Sequence, residues 1–172
     1  MTIRKILTEP NKLLRQISET VKKVGDDEKK LMDDMLDTMY EAPGIGLAAV
    51  QVGVPKRIIV MDISRDENNK EPRYFVNPVI KNKNKEKSTY EEGCLSVPDQ
   101  FAEIERPNSC EVEYLDYHGN KQLLKAEGLL ATCIQHEIDH LEGILFIDYL
   151  SKLKKSMIIK KLSKIKFNRE IL

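Results

Sequence analysis

The stretch Cys133-Ile134-Gln135-His136-Glu137-Ile138-Asp139-His140-Leu141-Glu142-Gly143 decides how the chain is read. It holds the pattern His-Glu-x-x-His. On a helix, residues four apart lie one above the other on one face. His136 and His140 can therefore grip one metal ion. Glu137 then projects beside that ion, where a carboxylate can hold and deprotonate a water. Leu129, Leu130, Cys133, Ile134 and Leu141 recur at roughly helical spacing and predict a buried side. Gly143 follows as a stop. The chain has three histidines and two are here. The other, His118, falls in His118-Gly119-Asn120 and reads as an exposed turn residue.

A short motif of this kind also arises by accident on ordinary helices. A catalytic metal commonly takes three protein ligands and leaves one position open, so the third ligand has to be found. Downstream, the longer metalloprotease pattern would place a histidine where Phe146 stands. Glu142, Asp148 and Glu170 have no recognisable ligand setting. Upstream, Glu91-Glu92-Gly93-Cys94-Leu95-Ser96-Val97-Pro98 offers Cys94, with a glycine before it that permits close backbone approach. One thiolate and two imidazoles form a known ligand set with an open site, suited to zinc or ferrous iron. Cys94 is the preferred third ligand. Cys110 and Cys133 read as small buried hydrophobes.

The length of 172 residues suits one domain with a real core. Hydrophobic residues at 41% and charged residues at 33% are those of a globular protein in water. Met1-Thr2-Ile3-Arg4-Lys5 leads into no long apolar run, so no signal peptide is expected. Nothing approaches the ~20 apolar residues of a membrane span. An odd three cysteines argue for a reducing cytosol over a disulfide scaffold. The net charge of zero is unevenly spread: from Ser151 to Leu172 there are eight Lys/Arg against one Glu, a net +7.

Asn11 to Val24 predicts a short helix or turn with Leu13, Leu14 and Ile17 inward. Asp26-Asp27-Glu28 suits a helix start, and Leu31, Met32, Met35, Leu36 and Met39 give that helix a buried stripe. Pro43-Gly44 ends it. The Gly-punctuated stretch Gly44 to Gly53 reads as a tight strand, in which Gln51 is a lone amide that needs a partner if buried. Arg57 to Ile63 and Tyr74 to Val76 read as strands. Lys81 to Lys87 is a turn or loop, and Cys110 to Tyr117 pairs with Lys121 to Ala126 as a hairpin. Ser151 to Lys166 predicts a helix with Leu150, Leu153, Met157, Ile158, Leu162 and Ile165 inward and its lysines, Lys155 included, in solvent. Strands in the middle and helices at the ends argue an α+β fold with mostly antiparallel sheets around a central metal-binding helix, and a C-terminal helix.

Three segments together, Gly44-Ile45-Gly46-Leu47-Ala48-Ala49-Val50-Gln51, Glu92-Gly93-Cys94-Leu95-Ser96 and Gln135-His136-Glu137-Ile138-Asp139-His140, resemble the signature motifs of the bacterial peptide deformylases in order and spacing. The resemblance implies one catalytic domain over residues 1–172, with 151–172 as a basic C-terminal helix. It implies hydrolytic removal of the formyl group from the N-terminal formyl-methionine of new proteins, releasing formate. The metal would be held by Cys94, His136 and His140. Ferrous iron (Fe2+) is the expected metal, one per chain, and Zn2+ or Ni2+ can occupy the site. A metal-bound water would be the nucleophile and Glu137 its general base. The Gln51 amide and the Leu95 backbone N–H would donate to the oxyanion. Gly46 would leave room for the formyl end. Gly44, Ile45, Gly46, Glu92 and Gly93 would run along the peptide as an added strand, and Ile45, Tyr90, Leu129, Thr132 and Cys133 would form the side-chain pocket. The partners implied are N-formylmethionyl nascent peptides. The lysines of the basic helix read either as a solvated face or, since such a substrate emerges from a ribosome, as a surface for docking on ribosomal RNA. DNA and membranes are not expected partners, and the chain is expected as a cytoplasmic monomer.

The sequence departs from the commonest family pattern at Val50, where proline is frequent, at Phe101, where many relatives carry arginine, and at Thr132, where an aliphatic residue is more usual. Two other readings stand beside this one. A metal-dependent peptidase lacks its downstream ligand. A non-catalytic zinc module would need a fourth Cys or His and would leave Glu137 without a task.

Overall fold

Ile58-Ile59-Val60-Met61 places four apolar residues in a row, the pattern of a strand covered on both faces. It forms β2 (Ile58–Met61), and every residue of it is fully buried. The structure, a computed structural model, describes residues 2–171 apart from 65 and 67, with side chains only as far as residue 166. The Glu170 side chain lies outside the described residues. Around β2 lie β1 (Gly46–Ala48), β3 (Arg73–Lys83), β6 (Ser109–Leu115) and β7 (Lys121–Glu127). They form one antiparallel sheet in the order β1-β2-β3-β6-β7.

Successive strand residues point to opposite faces, and each face has its own helix. Ile59, Met61 and Phe75 pack with Ile134, Ile138 and Leu141 of α2 (Gly128–Leu141). Ile58, Val60 and Val76 pack with Met32, Met35 and Met39 of α1 (Asp26–Glu41). Burying such a side chain is worth about 1.5–3 kcal/mol, so the Met stripe of α1 is core, as its spacing predicts. The acids of its first turn include Glu28, whose carboxylate accepts from the Gly25 N–H at 3.1 Å.

β4 (Lys87–Cys94) and β5 (Val97–Pro107) make a separate antiparallel pair. Val97 and Ile104 join Leu145, Phe146 and Ile147, and Leu162 of α3 (Lys152–Ile171), in a third cluster. The architecture is α+β with antiparallel sheets, as expected. Helix α2 sits at its centre and is buried on nearly every side. Such a helix must satisfy its own polar groups internally. The glycines Gly128 and Gly143 at its two ends have positive φ. A Cβ at Gly143 would run into the Arg15 carbonyl. Among the described residues, no helix is long and apolar enough to cross a membrane.

Four expectations need correcting. Of the stretch Gly44 to Gly53 only Gly46–Ala48 is strand, and Ala49–Val52 is a 3-10 turn. Residues 11–24 form only the 3-10 turn Lys12–Arg15 and then extended chain, where Glu19 bridges Lys56. One such turn sends a single side chain inward: Leu14 is fully buried, while Leu13 is 41% and Ile17 65% exposed. Strand β5 was not foreseen, because Pro98 and Pro107 near its ends mask a half-exposed alternation. Helix α3 is present, but its inward stripe is Lys155, Ile158, Ile159 and Leu162. Lys155 Nζ turns in to Asp148 Oδ1 at 2.6 Å. That rotates Leu153 and Met157 outward, where they are 71% and 62% exposed.

Candidate metal centre and cleft

Residues 129, 132, 133, 136 and 137 follow i, i+3, i+4, i+7, i+8 and so share one face of α2. That face, Leu129, Thr132, Cys133, His136 and Glu137, walls a cleft of about 450 Å³. Gly44, Ile45, Gly46 and Gln51 border the cleft on another side, and Tyr90 to Leu95 with Phe101 complete it.

At its floor, Cys94, His136 and His140 each offer a ligand atom, all within 4.8 Å of one another. Cys94 Sγ lies 3.3 Å from His140 Nε2. Cys94 reaches this point because the β4–β5 register shifts between Gly93 and Cys94, and such an irregularity re-aims a side chain. His140 is fully buried. Burial, and then the neighbouring His136, hold its pKa well below the ordinary value, which favours the neutral ring a metal requires. His136 Nδ1 lies 2.9 Å from Glu92 Oε2. With the carboxylate as acceptor, that nitrogen carries the proton and Nε2 is left for a metal.

Glu92 has a side-chain part that the sequence did not suggest. Its carboxylate accepts from Arg106 Nε at 2.6 Å and Nη2 at 3.0 Å as well as from His136. Burial pushes its pKa up, but the bonds from His136 and Arg106 overcome this and hold it below the usual carboxylate range. Arg106 also donates to Asp139 Oδ2 at 2.8 Å, and its guanidinium lies 4.8 Å from the Tyr149 ring centroid. The Tyr149 hydroxyl donates to Asp139 at 2.7 Å. Buried charges persist only when paired in this way. The chain of contacts ties β4, β5, α2 and the turn Phe146–Tyr149 to one histidine.

Glu137 is 5% exposed, and its Oε2 has no hydrogen-bond partner among the described residues. Burial pushes its pKa up to about 7, against the pull of His136 and with the repulsion of Glu92. Gly46 serves it in a way the sequence did not suggest. A Cβ at Gly46 would overlap Glu137 Oε1, so the missing side chain makes room for the carboxylate.

Gln51 has the partners its burial demands. Its Oε1 accepts from the Ala48 N–H at 2.8 Å, and its Nε2 donates to Ser96 Oγ at 3.0 Å and faces Cys94 Sγ at 3.6 Å. The amide is thus locked with its donor end toward the ligand cluster. The Leu95 side chain lies over Gly44, where a Cβ would meet it at 2.7 Å. The Phe101 ring covers Gly93 in the same manner. Ile45 is 45% exposed at the cleft, and Cys133 is buried with its thiol pushed up to about 12, chiefly by burial. His118 is exposed and stands apart.

Sequence reasoning missed Ser96, Arg106, Asp139 and Tyr149 as parts of the site. Ser96 and Asp139 lie inside the quoted motifs and carried that much signal. Arg106 and Tyr149 carried none, since Arg106 meets Asp139 across 33 positions of chain.

Comparison with known proteins agrees with this geometry. The family model described as Polypeptide deformylase matches residues 3–156, a span that contains all three ligand residues. A peptide deformylase of Pelagibacter ubique (strain HTCC1062) is 84% identical over 171 residues, covering 99% of each chain. One from Rhizobium meliloti (strain 1021) is 54% identical over 164 residues, 95% of this chain and 94% of the relative. A crystal structure of peptide deformylase from Ehrlichia chaffeensis matches with a TM-score of 0.91 at 45% identity, over 96% of this chain and 97% of that one. Another, in complex with actinonin, matches with a TM-score of 0.90 at 49% identity, over 95% and 98%. With near-complete coverage in sequence and in shape, and with the ligand residues inside the matched span, the chain belongs to the polypeptide deformylase family.

Proposed function

We propose that the cleft receives the formylated N-terminus of a nascent chain, its formyl group at Cys94, His136 and His140 and its methionine side chain between Leu129, Cys133, Ile45 and Tyr90. The chain is a peptide deformylase, a hydrolase that removes the N-terminal formyl group from newly synthesised proteins. Peptide deformylases are metalloenzymes, and one thiolate with two imidazoles within 4.8 Å fits a divalent cation. We assign ferrous iron to it, with zinc or nickel as possible occupants. When bound, the cation polarises the formyl carbonyl and acidifies the attacking water.

The remaining chemistry falls to side chains. Glu137 takes the water proton at its unpartnered oxygen and returns it to the leaving amine as the carbon–nitrogen bond breaks, and formate departs. Gln51 Nε2 and the Leu95 N–H donate to the oxyanion. The backbones of Gly44 to Gly46 and of Glu92 and Gly93 pair with the peptide as an added strand, which reads little sequence. The observation that carries this reading is Glu137: buried beside the ligand cluster, with a free oxygen and a pKa near 7, the range in which a general base works best at neutral pH.

The test is formate release from a formyl-methionyl peptide by protein purified without oxygen, with metal analysis of the same sample. Iron-loaded protein should be active and lose activity in air, since ferrous iron and thiolate both oxidise. Zinc-loaded protein of equal activity and equal oxygen sensitivity would overturn the iron assignment. We further assign Lys160, Lys161 and Lys164, all exposed on α3, to docking on ribosomal phosphate, whose charge attracts lysine without reading sequence. The cytoplasm and a monomeric state fit that role.

A further inference from the structure

Thr132 differs from its neighbours on the cleft face of α2. It is 4% exposed, and its hydroxyl oxygen is buried without a hydrogen-bond partner among the described residues. Helical hydroxyls commonly bond back to the carbonyl four residues earlier. Thr38 in α1 does so to Asp34 at 2.6 Å, and Ser163 in α3 to Ile159 at 2.9 Å. Thr132 would have to use Gly128, which opens α2 with a φ of +57°, and no such bond forms. A hydroxyl removed from water and left unpaired is costly. Thr132 lines the cleft, beside Leu129 and Cys133.

Its surroundings narrow what it can bond. Leu129 offers carbon only, and the Cys133 thiol, a weak acceptor, makes no bond to the Thr132 hydroxyl. A side chain entering between them can bring an acceptor with it. Methionine brings one atom of that kind, its thioether sulfur, a weak acceptor. A weak acceptor counts for more in a site of low dielectric than in water. We infer that the Thr132 hydroxyl donates a hydrogen bond to the thioether sulfur of the substrate's first residue, so that the pocket distinguishes methionine from a hydrocarbon chain of equal length. The inference rests on the reading of this cleft as the methionine pocket. A site that offers a buried polar group discriminates against an analogue that leaves it unpaired.

Norleucine is that analogue, with a methylene in place of sulfur. For the parent, kcat/KM for a formyl-methionyl peptide should exceed that for the matched formyl-norleucyl peptide about three- to ten-fold, the worth of one modest hydrogen bond. Thr132→Val keeps the branched shape and loses the hydroxyl, so the ratio should fall to about one. Thr132→Ser keeps the hydroxyl and should keep the ratio. A Leu129→Trp variant, assayed against formyl-methionyl and formyl-alanyl peptides, tests the pocket itself, and its preference for methionine should drop. If Leu129→Trp leaves that preference intact, the pocket is elsewhere and the inference falls with it. If Leu129→Trp shifts the preference but parent and Thr132→Val share one methionine-to-norleucine ratio within two-fold, the pocket reading stands and the hydroxyl has no part in selection.

Discussion

Helices α2 and α3 both carry many ionisable side chains. On α2, His136, Glu137 and His140 are buried, and His136 and Asp139 are held by Glu92 and Arg106. On α3, Lys152, Lys154, Lys160, Lys161 and Lys164 are exposed, while the helix is anchored by Leu162 and the Lys155–Asp148 pair. Ionisable groups thus have different meanings in the two places. A charge taken out of water must be matched by an arranged partner, and that arrangement fixes its position and its pKa. A charge left in water is free of both constraints, and contributes through the field it makes with its neighbours.

The comparison breaks most readily at the ligand cluster. Glu137→Ala should lower formate release on the order of 10²–10⁴-fold, as loss of a general base does, while metal content stays near that of the parent. Substantial retained turnover would remove Glu137 from the mechanism. Cys94→Ser should reduce metal content together with activity, because a neutral hydroxyl replaces a soft anionic ligand. Cys110→Ser and Cys133→Ser should keep their metal. A Cys94→Ser protein that binds metal and turns over like the parent would refute the ligand assignment.

One step out from the metal, Arg106→Met should destabilise the fold by about 3–5 kcal/mol, since it leaves Glu92 buried without its partner. Denaturant unfolding measures this. Metal titration should show an affinity lower by about 10–100-fold, the usual result of disturbing a carboxylate that orients a metal-bound histidine. Unchanged stability and affinity would mean that the paired charges contribute nothing to α2.

On α3 the effects should be smaller and should divide by face. Leu162→Ala, on the docked stripe, should cost about 2–4 kcal/mol as a buried truncation, against a change within about 0.5 kcal/mol for Leu153→Ala. Equal costs would restore the stripe first expected from the sequence. Reversing the charges of Lys160, Lys161 and Lys164 should leave hydrolysis of a short formyl peptide unaltered. Cosedimentation with ribosomes should weaken, and the parent's binding should fall steeply with salt. Equal cosedimentation at low salt would make this face a solvated surface only.

What could be read from the sequence was local. His136 and His140 declare themselves through a fixed helical spacing, β2 through four consecutive apolar residues, and Gln51 as an amide in apolar company. The α+β arrangement followed from the order of such segments. What stayed hidden depends on distant partners. Arg106 is one charge among many until β5 brings it against Glu92 and Asp139. The α3 stripe was misread because a lysine, Lys155, holds an inward position through an aspartate outside the helix. Gly46 was visible as a glycine, but the carboxylate that needs its empty space comes from α2.

Strand β1 is three residues long, stands at the end of its sheet and passes directly into the 3-10 turn Ala49–Val52. An exposed sheet edge invites other chains to join it, and long edges lead to self-association. An edge this short gives a stray strand too few bonds for a lasting union, and would suffice only for a polypeptide already held at its tip. A rim this brief offers little to a second copy of the chain. On the reading of this edge as the substrate's added strand, a growing chain would be gripped only at its beginning, and the rest would remain free to fold.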